Sequence, residues 1–377
     1  MFKKTLIISS FYEPAFKAGG PIKSLKNMLS LEIFNDPLIL TNDYDYDGTH
    51  LDHEQKKILK RSININYLSK IEHFKSFLSF IFLNKETEII YLNGFFNPIY
   101  QLYLMGAFLF KDIKIIISPR GCLGKNELAI KPAKKMLIIK IIKILFLLRP
   151  NKEIIFHVTS EREISDIQQI FNTKNVSCEL IQNLIDSNNF FEPKNNLGKL
   201  NVIFLSRISK KKNMHISKDI FSEVQNLNLI LFGPYSKNEE NYFKKIDKSL
   251  KDIGKLNYAY MGSLKPQSIR QELNKNDVFF LPTLGENFGH AVVEAMLAGL
   301  IIVISDKTPW NHLENRRFLW CIKDNDVDEY INVFKKLSAM SSEEIYNLKK
   351  DSYHFFHNYF RKNNNNSEKA YRNLFKV

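Results

Sequence analysis

The sequence predicts an α/β protein built as two tandem Rossmann-like domains with a cleft between them. Short apolar runs alternate with longer segments of helical periodicity along the chain. Strands of a parallel sheet are buried on both faces, so they appear as continuous rather than alternating apolar runs. This alternation of apolar runs and helical segments stops at the polar stretch 186–199 and resumes after it, which indicates two domains. Ligands of such folds bind beyond the carboxyl ends of the strands, so we expect the functional site in the cleft.

The elements follow in order along the chain. The predicted strands are 5–9, 37–41, 87–92, 113–118, 153–158 and 176–181 in the first half, then 200–206, 229–232, 256–261, 277–281 and 300–304. The segments between them are long enough for crossover helices. We predict an N-terminal domain at 1–190, a linker at 191–199, a C-terminal domain at 200–355 and a tail or helix at 356–377. One option is that this last segment crosses back to the N-terminal domain. The Asn-rich tract 363–366 predicts a loop before a short last helix.

The length, hydrophobic content and charge of the chain indicate a globular protein with an anionic partner. With 377 residues, 44% hydrophobic and 25% charged, the chain can bury two full cores, which excludes a disordered or fibrous protein. A net charge of +14 favours an anionic partner, whether nucleic acid, nucleotide or lipid. Three widely spaced cysteines fit reduced thiols, and the N-terminal apolar run is too short for a signal peptide, so we expect a cytoplasmic protein.

One charge-free run, residues 89–110, is long enough to raise the question of a membrane span. Asn93-Gly94 and Asn97-Pro98 interrupt its first half, and such pairs break helices. We therefore predict a strand, a turn and a helix here.

The most informative stretch is 285–299, which reads G-E-N-F-G-H-A-V-V-E-A-M-L-A-G directly after a predicted strand. The apolar spacing predicts a helix beginning near Phe288 and Gly289. Such a helix start presents unpaired N–H groups and a positive dipole end, which suits phosphate. Glu286 lies at that mouth and Glu294 about two turns into the helix. Carboxylates repel phosphate, so these two would serve hydroxyl groups, and a nucleotide sugar supplies both chemistries.

This strand-loop-helix with two glutamates seven residues apart resembles the signature of retaining glycosyltransferases of the GT-B fold, family 4. The longer string E-N-F-G-H-A-V-V-E-A-M-L-A-G-L, followed by I-I-V-I-S-D-K-T-P-W-N-H-L-E, is similar to a polysaccharide-assembling and lipopolysaccharide-assembling branch. The resemblance implies that Glu286 holds the hydroxyls of the donor sugar and Glu294 the ribose. It also implies that Asn287 belongs to the donor site and that the diphosphate lies against the N–H groups of Phe288, Gly289 and His290.

A second match, F-L-S-R-I-S-K-K-K-N at 204–213, follows the first strand of the second domain. The family pattern places an Arg and then a Lys here, which maps to Arg207 and Lys212. Two cations at the carboxyl end of a strand can bind a diphosphate and stabilise the charge on it as it leaves. Whether Lys211 or Lys212 faces the phosphate stays open. The family usually has Gly where this chain has Asn213, which also tolerates a left-handed turn.

The first domain offers two loops. P-A-F-K-A-G-G-P-I-K-S-L at 14–25 lacks the glycine spacing of a dinucleotide site, but Gly19 and Gly20 let the backbone approach a donor closely. S-P-R-G-C-L at 118–123 resembles S-P-R-G-M-L of the same branch. Many family members carry a His in this loop, and Arg120 stands in its place. We expect Arg120 to contact acceptor or phosphate, although it is a poor proton acceptor.

A calcium-loop spacing of acidic residues follows the second predicted strand. Its members are Asp43, Asp45, Asp47, Gly48 and Glu54. An EF-hand requires a helix rather than a strand before the loop and an aliphatic residue where His50 stands, so we predict no metal site. The GT-B layout does not need a metal, and we expect no other cofactor.

Residues 128–150 carry six basic residues and no acidic one. A helical wheel predicts that Leu137, Ile141, Ile144 and Leu148 pack on the sheet, and that a second apolar set faces outward among the lysines. That set is Ile139, Ile142, Phe146 and Leu147. A surface of this composition suits anionic lipid of the inner leaflet, while coverage by protein is the alternative.

Together these features predict a hexosyl-type enzyme that moves a sugar from a nucleotide-sugar donor to a cell-surface glycan or lipid-linked acceptor, with retention and without metal. It would be cytoplasmic, with peripheral attachment to the inner membrane face as an option. Another GT-B enzyme such as a nucleotide-sugar epimerase is an alternative. The charge alone would also allow a nucleic-acid-binding protein, but no such motif is present, so we expect no nucleic-acid partner.

Overall fold

The computed structural model describes residues 4–82, 86–110, 112–129, 131–148, 152–171, 176–186, 190, 192–314 and 316–376. The chain forms two compact units. The first comprises Met1–Ile185 with Asn363–Val377, and the second comprises Asp186–Lys362. Each contains one parallel sheet with helices, so the predicted α/β class with two tandem domains is confirmed. Of the predicted linker, residue 191 lies outside the described residues.

The first unit is built on a seven-stranded parallel sheet within the described part of the chain, in the order β3-β2-β1-β4-β5-β6-β7. The strands are β1 (Lys4–Ser9), β2 (Asn35–Asn42), β3 (Ile65–Leu68), β4 (Ile89–Asn93), β5 (Lys114–Ile117), β6 (Ile154–Val158) and β7 (Val176–Leu180). The helices are α1 (Gly20–Leu29), α2 (His53–Ser62), α3 (Lys70–Phe82), α4 (Pro98–Phe110), α5 (Lys125–Leu128), α6 (Pro132–Leu148) and α7 (Glu161–Ile170). Strand β3 was not predicted, because this short edge strand is only partly buried and contains Asn and Tyr among its apolar residues.

Both faces of this sheet are covered. Helices α3, α4, α6 and α7 pack on one face, where Phe80, Phe108, Phe146 and Phe171 belong to one core. Helix α1 and the end of the last helix cover the other face, where Leu25, Met28, Tyr371 and Phe375 belong to a second core. Every residue of β4 and β6 is buried, as continuous apolar strands require.

The second unit repeats the plan with a six-stranded parallel sheet in its described residues, in the order β10-β9-β8-β11-β12-β13. The strands are β8 (Leu200–Leu205), β9 (Leu227–Phe232), β10 (Asn257–Tyr260), β11 (Val278–Leu281), β12 (Ile301–Ser305) and β13 (Leu319–Ile322). The helices are α8 (Ser217–Ser222), α9 (Glu240–Lys251), α10 (Pro266–Asn274), α11 (His290–Leu297), α12 (Val327–Ser338) and α13 (Ser342–Phe375). Edge strand β13 was not predicted from the sequence.

The prediction of a loop at 363–366 is wrong, because these asparagines lie inside the 34-residue helix α13. Asn364 explains part of the difference. Its side chain accepts a hydrogen bond from the Ile185 N–H at 3.0 Å and donates one to the Ile185 carbonyl at 2.6 Å. Farther along, Tyr371 is fully buried in the first unit. Tertiary packing therefore outweighs the weak helix propensity of Asn.

The predicted orientation of α6 is also wrong. Ile139, Ile142 and Phe146 are buried, whereas the stripe of Leu137, Ile141, Ile144 and Leu148 is exposed. The helix is apolar around most of its circumference, so periodicity alone could not decide which face meets the sheet. Residues 130, 149 and 150 of the predicted surface lie outside the described residues.

The charge-free run 89–110 forms strand β4, a turn and helix α4, which confirms that prediction. None of the helices in the described residues combines the length and apolar character that a bilayer span requires.

Candidate active site

Lys212 and Glu286 meet beyond the carboxyl ends of β8 and β11 in the second unit. The Lys212 Nζ atom donates a hydrogen bond to Glu286 Oε2. The residue Lys212 is only 7% exposed, and the Glu286 side chain is 20% exposed. A lysine this well buried requires a partner, because burial of an unpaired ammonium costs several kcal/mol. The two residues that carried the sequence-based hypothesis therefore form one charged pair.

A short turn holds Lys212 in this position. Residues Lys210–Lys212 form a 3₁₀ turn after β8, and Asn213 ends it in the left-handed region with φ of 59°. The Asn213 side chain also donates to the Asp324 carbonyl at 3.3 Å. Asn adopts this conformation at lower cost than most residues, which explains how it replaces the usual Gly. Arg207 lies exposed just before this turn.

The charges around the pair act on both members. Burial lowers the pKa of Lys212, against the opposing effect of Glu286, and nearby Arg207 and Lys211 lower it further. For Glu286, burial alone would raise the pKa, but Lys212, Lys211 and Arg207 together hold it below its ordinary value. The site is thus a cluster of three cations around one carboxylate, with a net positive charge that suits a diphosphate.

The loop that carries Glu286 is bound to the lysine turn by backbone hydrogen bonds. Leu284 N–H donates to the Lys211 carbonyl at 2.8 Å, and the buried Thr283 Oγ1 lies 3.1 Å from the same oxygen. Ser305 Oγ, at the end of β12, donates to the Thr283 carbonyl. Glu286 N–H donates to the Lys307 carbonyl at 3.0 Å. Thr283 and Ser305 therefore position the pair, although neither was predicted from the sequence.

Helix α11 begins at His290, directly after the predicted start near Phe288 and Gly289, with Gly289 as its N-cap. Gly289 has φ of 78°, and a Cβ atom there would lie 3.0 Å from Glu286 Cγ and 3.0 Å from Val292 Cγ2. The positive φ and these two close approaches therefore favour glycine between the loop and the first turn of the helix. Gly289 has no side chain to cap the helix, so its first turn presents backbone N–H groups that can bind an anion.

Trp310 packs against this loop and binds its backbone. This residue was not predicted from the sequence. Its indole Nε1 donates to the Phe288 carbonyl at 2.6 Å, and the two rings pack edge to face with centroids 5.3 Å apart. Trp310 is 2% exposed and packs on Phe360 of α13. Its place in the matching string T-P-W-N-H was the available signal, but a string does not reveal the hydrogen bond.

The remaining predicted residues of the second unit lie along the same loop and helix. Asn287 and His290 are half-buried, and the His290 ring lies 4.8 Å from that of Phe288. Glu294 is half-buried in α11, one turn beyond His290. The structure therefore brings Arg207, Lys212 and Glu286 together beside the start of α11.

Gly19 and Gly20 lie in the first unit, where they open helix α1. Gly19 has φ of 73° and caps the helix, and no atom stands within 4 Å of where its Cβ would be. The backbone of this loop is held by Asp45. The Asp45 carboxylate accepts hydrogen bonds from the N–H groups of Phe16 and Lys17 at 3.0 and 3.1 Å.

Carboxylates of the calcium-like spacing form hydrogen bonds and ion pairs with other residues of this chain. Asp45 is 3% exposed and binds backbone N–H groups, while Asp47 pairs with Lys17 and Glu54 pairs with Lys57. Among the described residues, no cluster of three or more His, Cys, Asp or Glu side chains could hold a metal ion.

Arg120 lies at the carboxyl edge of the first sheet with φ of 56°. Its guanidinium donates to Asn93 Oδ1 at 2.8 Å, Asn183 Oδ1 at 2.8 Å and the Tyr91 hydroxyl at 3.1 Å. It also lines a cavity of about 210 Å³ with Ser10, Asn93, Tyr100 and Cys122. Three hydrogen bonds therefore fix the Arg120 guanidinium, and the residue forms part of the cavity wall.

Beneath Arg120 lies a buried histidine that sequence reasoning missed. His157 Nδ1 is 2.8 Å from the Tyr91 hydroxyl, and Nε2 is 3.2 Å from both the Ile181 carbonyl and the Tyr371 hydroxyl. Burial, aided by the charge of Arg120, lowers the pKa of His157 to about 3. The imidazole is therefore neutral and serves as a structural link between β6, β4 and α13.

Residues 186–354 match the family model described as "Glycosyl transferases group 1". This segment, which is less than half of the chain, is therefore similar to group 1 glycosyltransferases. It contains Glu294 and the whole cluster of Arg207, Lys211, Lys212 and Glu286. No curated protein sequence matches the chain.

Solved structures resemble the whole chain. HepE of Anabaena, in complex with UDP and glucose, superposes with a TM-score of 0.73 at 16% identity, covering 97% of this chain and 98% of HepE. Sucrose-phosphate synthase of Thermosynechococcus elongatus gives 0.72 at 14% identity, with 99% of each chain covered. WaaG, a glycosyltransferase involved in lipopolysaccharide biosynthesis, gives 0.64 at 9% identity, with 94% of this chain and 95% of WaaG covered. The fold is thus that of GT-B glycosyltransferases, as predicted.

Proposed function

We propose that this protein is a retaining glycosyltransferase of family 4 that transfers a hexose-type sugar from a nucleoside diphosphate to a cell-surface glycan or lipid-linked oligosaccharide. The observation that carries the proposal is the Lys212–Glu286 pair beside the start of α11, inside the segment that matches the glycosyltransferase group 1 model. Its cations suit the diphosphate and its carboxylate suits sugar hydroxyls, so one cluster matches both halves of a nucleotide sugar.

In this mechanism the diphosphate lies against the N–H groups of Phe288, Gly289 and His290. Arg207 and Lys212 stabilise the negative charge that grows on the diphosphate as the glycosidic bond breaks. Glu286 accepts hydrogen bonds from the sugar, and its charge stabilises the oxocarbenium-like transition state. Glu294 holds the ribose.

Lys212 gains a second anionic partner when the donor binds. Without donor its ammonium group is bound to Glu286, which keeps both charges compensated in a buried place. The arriving diphosphate adds a second anionic partner for the same ammonium, which has three protons to donate. The pair is therefore preorganised, and little reorganisation is required when the donor binds.

The relatives support a nucleotide-sugar donor. HepE has been solved with UDP-glucose, and WaaG acts in lipopolysaccharide biosynthesis, as their descriptions state. By analogy we propose a uridine or guanosine diphosphate sugar here. Fixed cations and a helix N-terminus fill the role that a metal ion has in other transferases, so we propose metal-independent catalysis. Gly19 and Gly20 would complete the donor site, and Arg120 would border the acceptor. A lipid-linked acceptor would place this enzyme at the inner, cytoplasmic face of the membrane.

Thermal stabilisation by UDP, GDP and ADP tests the donor assignment. UDP or GDP, rather than ADP, should raise the melting temperature of the wild-type protein, and Lys212→Ala should remove most of that rise. Transfer from the matching nucleotide sugar should then persist in EDTA. Absence of stabilisation by any of the three nucleotides would contradict a nucleoside-diphosphate donor, and loss of activity in EDTA would contradict metal independence.

A further inference from the structure

The outer surface of three neighbouring helices of the first unit combines exposed apolar side chains with lysines. Helices α3 and α4 pack through Phe77 and Tyr103, with ring centroids 5.5 Å apart, and α4 and α6 pack through Phe108 and Phe146 at 5.8 Å. The three helices therefore lie side by side on one face of the sheet, with α4 in the middle. We call their outward surface the α3–α4–α6 face.

Helix α6 presents a regular apolar stripe on this face. Leu137, Ile141, Ile144 and Leu148 recur at intervals of four, three and four residues, and all are exposed. Leu137 and Ile144 are 59% and 57% exposed. The opposite side of the helix is buried in the core, so the stripe is not needed for packing within the unit.

Helix α3 repeats the pattern, and α4 joins the two. Ile71, Phe74 and Leu78 are exposed along one side of α3. Met105 of α4 is exposed between the helices, and α4 carries no charged residue. An apolar patch that extends over three helices marks an interaction surface rather than scattered exposed residues.

The charges of the face identify the partner. Lys134 and Lys140 flank the α6 stripe on its two sides and are exposed, and α6 contains no acidic residue. Lys135 is different, because its Nζ turns back to the Glu127 carbonyl at 2.6 Å. An apolar stripe bordered by lysines is the arrangement by which a helix lies in the plane of an anionic bilayer, with side-chain stems in the interface and ammonium groups at the headgroups.

We infer that the α3–α4–α6 face binds the surface of an anionic lipid bilayer. The aliphatic side chains enter the boundary between headgroups and acyl chains, and the lysines bind lipid phosphates. This surface belongs to the first unit, whereas the proposed donor cluster belongs to the second, and binding of lipid requires neither donor nor acceptor. Loss of vesicle binding would therefore leave the proposed transfer reaction standing, and an inactive but vesicle-binding protein would leave this inference standing.

Co-sedimentation of the full chain with vesicles tests the inference. The wild-type protein should bind vesicles of equal parts phosphatidylglycerol and phosphatidylcholine, bind phosphatidylcholine alone much more weakly, and dissociate as salt is added. Lys134→Glu with Lys140→Glu should lower the partition coefficient by about tenfold or more. Lys335→Glu with Lys336→Glu changes the net charge equally on exposed positions of α12 and should bind like wild type.

The apolar contribution has its own variants. Leu137→Gln with Ile144→Gln should lower binding by about tenfold or more without lowering the melting temperature, because both side chains are exposed. Ile58→Gln with Leu197→Gln alters two exposed apolar residues elsewhere and serves as the control. Equal binding of all variants would overturn the inference. So would a wild-type dimer that Leu137→Gln with Ile144→Gln dissociates while no form binds vesicles, because the face would then join two copies of this chain.

Discussion

The Lys212 ammonium is bound to the Glu286 carboxylate across a gap of 74 residues in the sequence, where the turn after β8 meets the loop after β11. Neighbouring strands β8 and β11 are parallel, so their carboxyl ends deliver both residues to the same edge of the sheet. The pair has one cation and one anion, but Arg207 and Lys211 add positive charge around it. This surplus makes the pair suitable for a diphosphate.

Replacing Lys212 by Ala should reduce both donor affinity and turnover. The ammonium acts on ground-state phosphate and, more strongly, on the charge that develops on the leaving group. We expect kcat/KM to fall by about 10²- to 10³-fold, as when one charge-stabilising group is removed from an active site. Steady-state kinetics with the nucleotide sugar found by thermal screening would measure this.

The matched control for that variant is Lys210→Ala, two residues earlier in the same turn. Lys210 is exposed, whereas Lys212 is buried, so its removal should change kcat/KM by less than about threefold. If Lys212→Ala and Lys210→Ala behave alike, Lys212 does not act on the diphosphate.

Glu294→Gln should raise the donor KM more than it lowers kcat. Glu294 lies in α11, one turn beyond the proposed diphosphate site, and a ribose contact is the same in the ground and transition states. Loss of one charge-assisted hydrogen bond corresponds to about 10-fold in KM. A variant that binds donor normally but turns over slowly would contradict a role in ribose binding.

Trp310→Phe should weaken donor binding with little effect on folding. The substitution keeps an aromatic ring against Phe288 and Phe360 but removes the indole N–H that binds the Phe288 carbonyl. Because this bond holds the loop between Glu286 and α11, we expect the donor Kd to rise several-fold and the stability of the second unit to fall by about 1 kcal/mol. Isothermal titration and thermal unfolding would separate the two effects.

Trp310→Ala is the informative comparison. It should lower stability by about 3–5 kcal/mol, because a fully buried aromatic side chain is lost. Unaltered donor binding in Trp310→Phe would show that the loop does not depend on the indole hydrogen bond.

The parallel fold was predictable because buried strands such as β4 and β12 are continuous apolar runs that any parallel sheet requires. Lys212 and Glu286 were predictable individually, since each stands at a strand end within a recognisable pattern. Their ion pair was not, because pairing depends on which strands become neighbours. Thr283, Ser305 and Trp310 act through hydrogen bonds to backbone atoms, which leave no pattern in side-chain types.

Helix α6 shows a different limit of prediction. Leu137 and Ile139 are equally apolar, and nothing local distinguishes the residue that meets solvent from the one that meets the sheet. The choice is made by Phe108 of α4, which packs on Phe146 and so turns that side of α6 inward. Similarly, the asparagines of α13 became helical through a contact with Ile185 that is remote in sequence.

The buried His157 predicts a pH dependence of stability in the first unit. Its pKa is about 3 in the folded protein and 6.5 ordinarily, so between these values the unfolded chain binds a proton that the folded chain does not. Stability is therefore fully present above 6.5 and falls as the pH drops toward 3, by up to about 1.4 kcal/mol per pH unit from this residue.

His157→Gln should flatten that dependence while lowering stability at neutral pH. Glutamine retains hydrogen-bonding groups toward Tyr91 but does not titrate. Hydrogen exchange of the β6 amides, measured as a function of pH, would report local opening in both proteins after correction for the intrinsic exchange rate. An unchanged slope in the variant would mean that other groups cause the acid sensitivity.

The arrangement of charges restricts the stereochemistry of sugar transfer. The described site contains a carboxylate, Glu286, that is already bound to Lys212, and a carboxylate held in an ion pair is a weak base and nucleophile. The acceptor hydroxyl would therefore attack the anomeric carbon from the face that the diphosphate leaves. Its proton would pass to a phosphate oxygen as the glycosidic bond breaks. Proton NMR of the first-formed product from an α-linked donor should show an α linkage. A β linkage would mean inversion, which requires a general base on the opposite face of the sugar and would therefore remove Glu286 from its proposed role as a hydroxyl-binding group in a front-face reaction.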